Sequence, residues 1–169
     1  MNTRVVANPT LRLFVLFLFG ASACASESSN CSLKPDTVNV DFSECDFSNS
    51  YLAGEDFTYS DLSGANFAGA VLTGAVNATN MTEANLTDAN LAGVDLTNAN
   101  LRGANFYFAN LSDANLRFAK LNFAILIRAN LANANLSGAD LSFARLDRAN
   151  LEGANLEGTV FHDSRGYSP

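Results

Sequence analysis

From Thr79 to Asp163 the chain divides into fives: TNMTE, ANLTD, ANLAG, VDLTN, ANLRG, ANFYF, ANLSD, ANLRF, AKLNF, AILIR, ANLAN, ANLSG, ADLSF, ARLDR, ANLEG, ANLEG, TVFHD. Each of these seventeen units has a large apolar residue at its centre, fourteen times Leu, twice Phe and once Met. The first position is Ala throughout Ala84 to Ala154 except at Val94, and the remaining positions are mostly small or polar. An earlier block (VDFSE, CDFSN, SYLAG, EDFTY, SDLSG, ANFAG, AVLTG) keeps the period, with centres from Phe42 to Leu72, but in another phase. A period of five matches neither a strand, which alternates every two residues, nor a helix, which repeats every 3.6. On a helix the Leu positions would wind right round the surface; on a strand they would flip from face to face. The pattern fits a chain that turns a corner every five residues and keeps each Leu and Ala inside. Four corners close a square coil of about twenty residues, and successive coils pair as parallel strands about 4.8 Å apart. The units supply about six coils, a rod of roughly 30 Å at that spacing.

The two blocks do not join evenly. Leu72 and Met81 stand nine residues apart instead of ten, so AVNA (75–78) is a unit one residue short, with Asn77 where the apolar centre belongs. The corner at 75–78 is therefore predicted to be irregular.

An unbroken series of A(D/N)LXX units resembles the pentapeptide-repeat family, and the resemblance covers residues 40–163. It implies an all-β fold, a right-handed quadrilateral parallel β-helix. It also implies that first and central positions point inward while the second, fourth and fifth face solvent. Such an interior is a filled stack of side chains, with no cavity for a small ligand or cofactor. Solenoids contact only neighbouring coils, so their ends need caps. Residues 24–39, notably SSNCSLKPDTVN, are the expected N-terminal cap, and 164–169 read as a C-terminal tail with no sign of the dimer-forming helix found in some family members.

The N-terminus departs from the repeat. Arg4 and Arg12 precede the apolar run LFVLFLFG, and ASACAS supplies small residues. This is the layout of a secretory signal, and the run is too short to cross a bilayer. Residues 1–23 are the expected signal peptide, with cleavage after Ala25 as the alternative. Ala21-Ser22-Ala23-Cys24 also resembles a bacterial lipobox, which would lipidate Cys24. The expected location is outside the cytoplasm: periplasmic, attached to the outer membrane, or extracellular. Losing residues 1–23 removes two of ten basic residues and none of seventeen acids, taking the formal charge from −7 to −9. Residues 24–95 hold eleven acids and one Lys; residues 96–169 hold six acids and seven Lys and Arg. A chain this acidic is a poor partner for nucleic acid or anionic lipid, so a membrane contact is expected only through a lipid anchor.

Little here suggests catalysis. Cys31 and Cys45 lie in the cap and in an inward first position; in an exported protein they read as a disulfide, the alternative being two buried thiols. Glu55 also falls at an inward first position, where an unpaired charge would be costly, so a distorted unit or pairing with Lys34 is expected. His162 is the only His and sits at an outward position. There is no metal-spaced Cys/His cluster and no phosphate loop. Catalytic residues, metals and cofactors are therefore expected to be none.

One face breaks the polar pattern. Residues twenty apart stack, which places Ile125 between Asn105 and Arg145, Ile127 between Tyr107 and Asp147, and Arg128 between Phe108 and Arg148, with Phe123 and Phe143 at the adjoining corner. The next face carries Asn90, Asn110, Asn130 and Asn150 as an ordinary polar ladder. Exposed apolar, aromatic and Arg residues together suggest a contact surface; lateral packing of bulky side chains is the plainer alternative. The expected function is a non-enzymatic exported scaffold that binds a protein partner or itself through Tyr107, Phe108, Phe123, Ile125, Ile127, Arg128, Phe143, Arg145 and Arg148. The resemblance offers a second reading, since some family members mimic DNA and inhibit DNA gyrase, protecting it from quinolones. The acidic stretch 41–95 favours that; export and the dominance of Asn at second positions weigh against it.

Overall fold

The computed structural model describes residues 39–74 and 76–167. The chain winds through six full coils, 40–59, 60–78, 79–98, 99–118, 119–138 and 139–158, and begins a seventh at 159. Each coil has four sides, and the second-position residues of successive coils form parallel bridges. Face 1 runs Asp41, Asp61, Asn80, Asn100, Lys120, Asp140, Val160; face 2 runs Asp46, Asn66, Asn85, Asn105, Ile125, Arg145, Arg165. Face 3 runs Tyr51, Val71, Asn90, Asn110, Asn130, Asn150, and face 4 runs Asp95, Asn115, Asn135, Asn155.

The corner has a local cause. Among the described residues from Cys45 onward the N–H of each first-position residue except Thr79 donates back to the carbonyl of the preceding centre, as in Ala114 N to Leu111 O at 3.2 Å. The residue just before it, the fifth position, takes a positive φ, as in a type II turn. From Glu44 to Asp163 every fifth position does so except Gly74, and the residues include Phe108, Phe118, Phe123, Arg128, Phe143 and Arg148. Bulky residues rarely adopt this conformation; here the hydrogen bonds of the turns and the bridges between coils hold it.

Second-position Asn and Asp complete the corner. Their Oδ1 accepts the N–H two residues on, as in Ser112 N to Asn110 Oδ1 at 3.2 Å, the Asx-turn geometry that favours these residues. On face 3 the amides also link coil to coil: Asn110 Nδ2 to Asn90 Oδ1, Asn130 to Asn110 and Asn150 to Asn130 are each 3.2 Å. This is the polar ladder expected from the sequence.

The centres and first positions fill the interior. Phe42, Phe47, Phe57 and Phe67 pack edge-on or stacked at the N-terminal end, with centroids 5.1–6.1 Å apart. Leu columns continue above them, fully buried through Leu146. Among the described residues, no buried side-chain polar atom lacks a partner.

The structure corrects the reading of the short unit. Val76, not Asn77, is the buried centre, and Asn77 takes an outward fourth position. Val76 keeps the core column filled, so the shortening does not fall on the centre position. Faces 1, 2 and 3 absorb the slip by bridging residues nineteen apart, as in Asp61 with Asn80. Face 4 takes the irregularity: among the described residues its column of bridges begins at Asp95, to whose carbonyl Val76 N donates at 2.9 Å. Thr79 enters the core as a first-position residue, and its buried hydroxyl donates to Val76 O at 2.7 Å. Gly74 passes so close to Glu55 that a Cβ there would run into the Glu55 backbone carbonyl. Glu55 is half-buried in this distorted stretch rather than enclosed in the core; Lys34 lies outside the described residues.

The C-terminal boundary also moves. The solenoid continues beyond residue 163: Arg165 bridges Arg145, its N–H donates to Ala144 O at 2.8 Å, and its carbonyl accepts from Leu146 N at 2.7 Å. Gly166 then stands in a centre position without a side chain, and the Tyr167 ring stacks on Phe161 at 4.1 Å over the end of the core.

Candidate interaction surface

Face 2 is where the polar pattern fails. Its lower rungs are regular: Asn66 Nδ2 donates to Asp46 Oδ1 at 3.1 Å, and Asn85 Nδ2 to Asn66 Oδ1 at 3.0 Å. Asn105 still accepts the Tyr107 N–H at 3.1 Å. Above it stand Ile125, Arg145 and Arg165, none of which has an acceptor for the amide two residues on. Coils 5 to 7 of this face have thus given up the contact that the repeat uses everywhere else on faces 2 and 3 from Asn66 and Asn90 upward.

Aromatic and cationic groups replace it. Tyr107 and Phe108 meet edge to face at 4.5 Å. The Arg128 guanidinium lies over the Phe108 ring at 5.1 Å, and that of Arg102 over Phe123 at 5.2 Å. Phe123 and Phe143 stack with centroids 5.0 Å apart and planes 8° from parallel, and His162 stands edge-on to Phe143 at 5.5 Å. The left-handed fifth positions explain this order. A side chain there rises over the fifth position of the next coil, so Phe123 meets Phe143, Phe108 meets Arg128, and Phe118 lies over Gly138. A coil spacing of about 4.8 Å is close to the preferred separation of stacked rings.

Tyr107, Phe108, Phe123 and Phe143 remain 39–47% exposed despite these contacts. Arg128, Arg145 and Arg148 are exposed as well. Ile125 and Ile127 differ from expectation in being only half-exposed, because the second and fourth positions lie within the flat side, flanked by coils above and below. All nine residues lie on face 2 and its two corners, across coils 4 to 6. Phe143, Arg145, Asp163 and Arg165 border a shallow hollow of about 480 Å³ that is open to solvent.

The other end of the same face is acidic. The Glu44 side chain folds over Gly64. Asp46 accepts from Ser48 N at 3.0 Å; that bond, then the Ser48 hydroxyl, hold its carboxyl below the usual range against partial desolvation, with Asn66 adding to the effect. Asp88 stands exposed two coils higher. Among the described residues the one ion pair joins His162 and Asp163 at 3.1 Å, so the arginines of face 2 have no carboxylate partner within the described chain.

Sequence reasoning missed several members of this surface. Arg102, His162 and Arg165 join it through the contacts above. Phe118, 53% exposed with Arg117 over its ring at 5.2 Å, forms a separate aromatic–cation pair on the corner after face 4. The available signal was proximity in the coil: Arg102 and His162 are fourth positions one coil away from Phe123 and Phe143, and Arg165 stands twenty residues after Arg145. Cys45 fills its inward position, fully buried, and is not a free thiol. Cys31 and Cys24 lie outside the described residues, as does the expected signal peptide. Among the described residues no group of His, Cys, Asp and Glu could hold a metal ion, and no helix is long and apolar enough to cross a membrane.

A square parallel solenoid built from five-residue units defines a class of repeat scaffold, and comparison with known proteins names it. The family model for pentapeptide repeats matches residues 38–76, 79–117 and 124–163, with eight copies. The chain belongs to the pentapeptide-repeat family. No curated protein sequence matches it. Among solved structures it is similar to HetL, a pentapeptide repeat protein involved in heterocyst differentiation regulation from the cyanobacterium Nostoc sp. strain PCC 7120 (29% identity, TM-score 0.41), covering 73% of this chain and 60% of HetL. It is also similar to Rfr23 from the cyanobacterium Cyanothece 51142 (26% identity, 75% and 88% covered, TM-score 0.34). A further similarity is to QnrB1, a plasmid-mediated fluoroquinolone resistance protein (21% identity, 75% and 70% covered, TM-score 0.38).

Proposed function

We propose that this chain is a non-enzymatic scaffold that binds a protein through face 2, and that it does so after export. The observation that carries the reading is local. On a rod whose outward positions are mostly Asx caps and small residues, one face gives up the caps in coils 5 to 7 and presents, across coils 4 to 6, four partly exposed rings with Arg128, Arg145 and Arg148. Aromatic and Arg residues are those enriched at protein interfaces. Among the described residues the interior is filled with side chains and the hollow beside Phe143 is open to solvent. A triple variant, Ile125→Asp, Ile127→Asp and Arg145→Asp, should keep the fold and lose partner capture, whereas Asn110→Asp with Asn130→Asp on face 3 should not. Equal pull-down profiles for the two variants would overturn the reading.

Export rests on residues 1–23, lipidation on Cys24 and the cap-to-coil disulfide on Cys31 with Cys45. Mass spectrometry of the mature N-terminus separates cleavage after Ala23, cleavage after Ala25 and a lipidated Cys24. The DNA-mimic reading has the acids of coils 1 to 3 in its favour. It is weaker because face 1 carries Asp41 and Asp61, then Asn80, Asn100 and Lys120, which interrupts any negative stripe. Inhibition of gyrase supercoiling by the purified chain would restore it.

A further inference from the structure

Face 2 carries opposite charge at its two ends, and among the described residues no salt bridge joins its arginines to a carboxylate. Coils 1 to 3 place Glu44, Asp46, Glu83 and Asp88 on it and its corners, with no base; coils 5 to 7 place Arg128, Arg145, Arg148 and Arg165 there against two acids, Asp147 and Asp163, so the two ends differ in the sign of their excess charge. Coil 4 stands between them with Tyr107 and Phe108 exposed. A surface of this kind is complementary to itself when inverted end for end. We propose that face 2 binds a second copy of this chain, side by side and antiparallel, about a two-fold axis that crosses coil 4. The proposal rests on the reading of face 2 as a protein-binding surface and names its partner.

The register follows from the columns. A two-fold axis lying in the interface, across the rod at coil 4, sets coil 1 against coil 7, coil 2 against coil 6 and coil 3 against coil 5. Each column then meets the same column of the other copy, as an isologous contact requires. Asp46 stands opposite Arg165, and Asp88 opposite Arg128. Glu44 shares its column with Asp163 of coil 7, a like charge, but its carboxylate folds over Gly64 to coil 2 and so stands at the level of Phe143 and Arg145 instead. Coil 2 has only small residues at Gly64, Ala68 and Gly69, with the Glu44 and Asn49 side chains lying over the two glycines, and it meets Phe143, Arg145, Asp147 and Arg148 of coil 6. Tyr107 and Phe108 meet their own copies at the axis. A parallel arrangement would instead set acids against acids and arginines against arginines, which like-charge contact disfavours.

Seven coils at about 4.8 Å give a face about 34 Å long and one side plus two corners wide. Such an area falls in the small, transient class of interfaces, below about 1,200 Å² in total. Charge complementarity therefore sets both the register and much of the specificity of a weak dimer.

The test uses the mature chain in analytical ultracentrifugation over a concentration series. The wild type should show a reversible monomer–dimer equilibrium. Arg128→Glu with Arg165→Glu should weaken it about tenfold or more, which is about 1.4 kcal/mol. Adding Asp88→Arg and Asp46→Arg to that variant should restore it. For the register, Asn105→Cys should link to itself with a short bifunctional maleimide, while Asn66→Cys should link to Arg145→Cys in a mixture and not to itself; the wild type and Asn115→Cys on face 4 are controls. A wild type that stays monomeric throughout, or a charge swap that restores nothing, overturns the dimer while leaving the scaffold reading to its own pull-down test. Self-linking of Asn66→Cys overturns the antiparallel register.

Discussion

Leu111 tests the packing logic most directly. It is fully buried in the face 3 column between Leu91 and Leu131. Its N–H donates to Asn130 O at 2.7 Å, the Leu91 N–H donates to Asn110 O at 2.7 Å, and its own carbonyl closes the turn with Ala114 N at 3.2 Å. Truncation to Ala removes three carbons, and the coils above and below cannot close over the void because those backbone bonds pin their separation. Large-to-small changes of this type cost about 2.7–5.0 kcal/mol, the larger values where the site fails to collapse. The expected cost for Leu111→Ala is therefore about 4 kcal/mol. Urea unfolding followed by circular dichroism measures it, and an unchanged slope against denaturant shows that the denatured state and the cooperativity are comparable. Leu111→Asp should go further and leave the purified chain unfolded, since a carboxylate would enter a stack with no partner for it. A Leu111→Ala cost under about 1 kcal/mol with an unchanged slope would show that the centre column is not a tightly packed core.

Three other perturbations follow from particular contacts. Gly74→Ala should destabilise by about 1–3 kcal/mol, because the new methyl meets the Glu55 carbonyl; Gly93→Ala, left-handed but with open space around it, should cost less, and the opposite order in thermal melts would refute the account of the short unit. Ile125→Asn should leave stability unchanged or raise it by up to about 1 kcal/mol by restoring the cap for the Ile127 amide, while weakening partner binding; a loss above about 2 kcal/mol in a denaturant titration would mean that Ile125 is there for packing. Asp41, Asp46 and Asp56 are all held below the usual carboxylate range, by the Ser43 hydroxyl and N–H, by the Ser48 N–H and hydroxyl, and by the Thr58 hydroxyl and N–H respectively. Because the folded values are depressed, their contribution is present above about pH 4, the unfolded Asp value, and is lost as pH falls through the lower folded values. Hydrogen exchange should then show amides of coil 1 opening before those of coil 5 as the solution is acidified below about pH 4, and equal protection of both coils would contradict this.

The five-residue period alone determined the coil, the inward Leu and Ala and the number of turns. A regular corner is closed by a hydrogen bond between a centre and the residue three further on and, where the second position is Asn or Asp, capped by the side chain two residues before the amide it accepts, so the information is local and repeats with the text. What the period could not decide is anything that depends on the coil above or below. AVNA holds two candidates for the core, and Val76 wins because the other three faces can bridge at nineteen residues while an Asn in the Leu column would bring an amide into an apolar stack. The tail reads as a loop, yet Arg165 continues the ladder because Ala144 and Leu146 of the previous coil present their backbone groups to it. The contact surface was legible as a set of residues twenty apart. Its arrangement was decided by the left-handed turn residues, which aim each fifth-position side chain over the next coil, so that Phe123 stacks on Phe143 and Arg128 lies over Phe108. Ile125 and Ile127, equally outward in the pattern, sink to half exposure because they stand on the flat side between coils rather than at its corner.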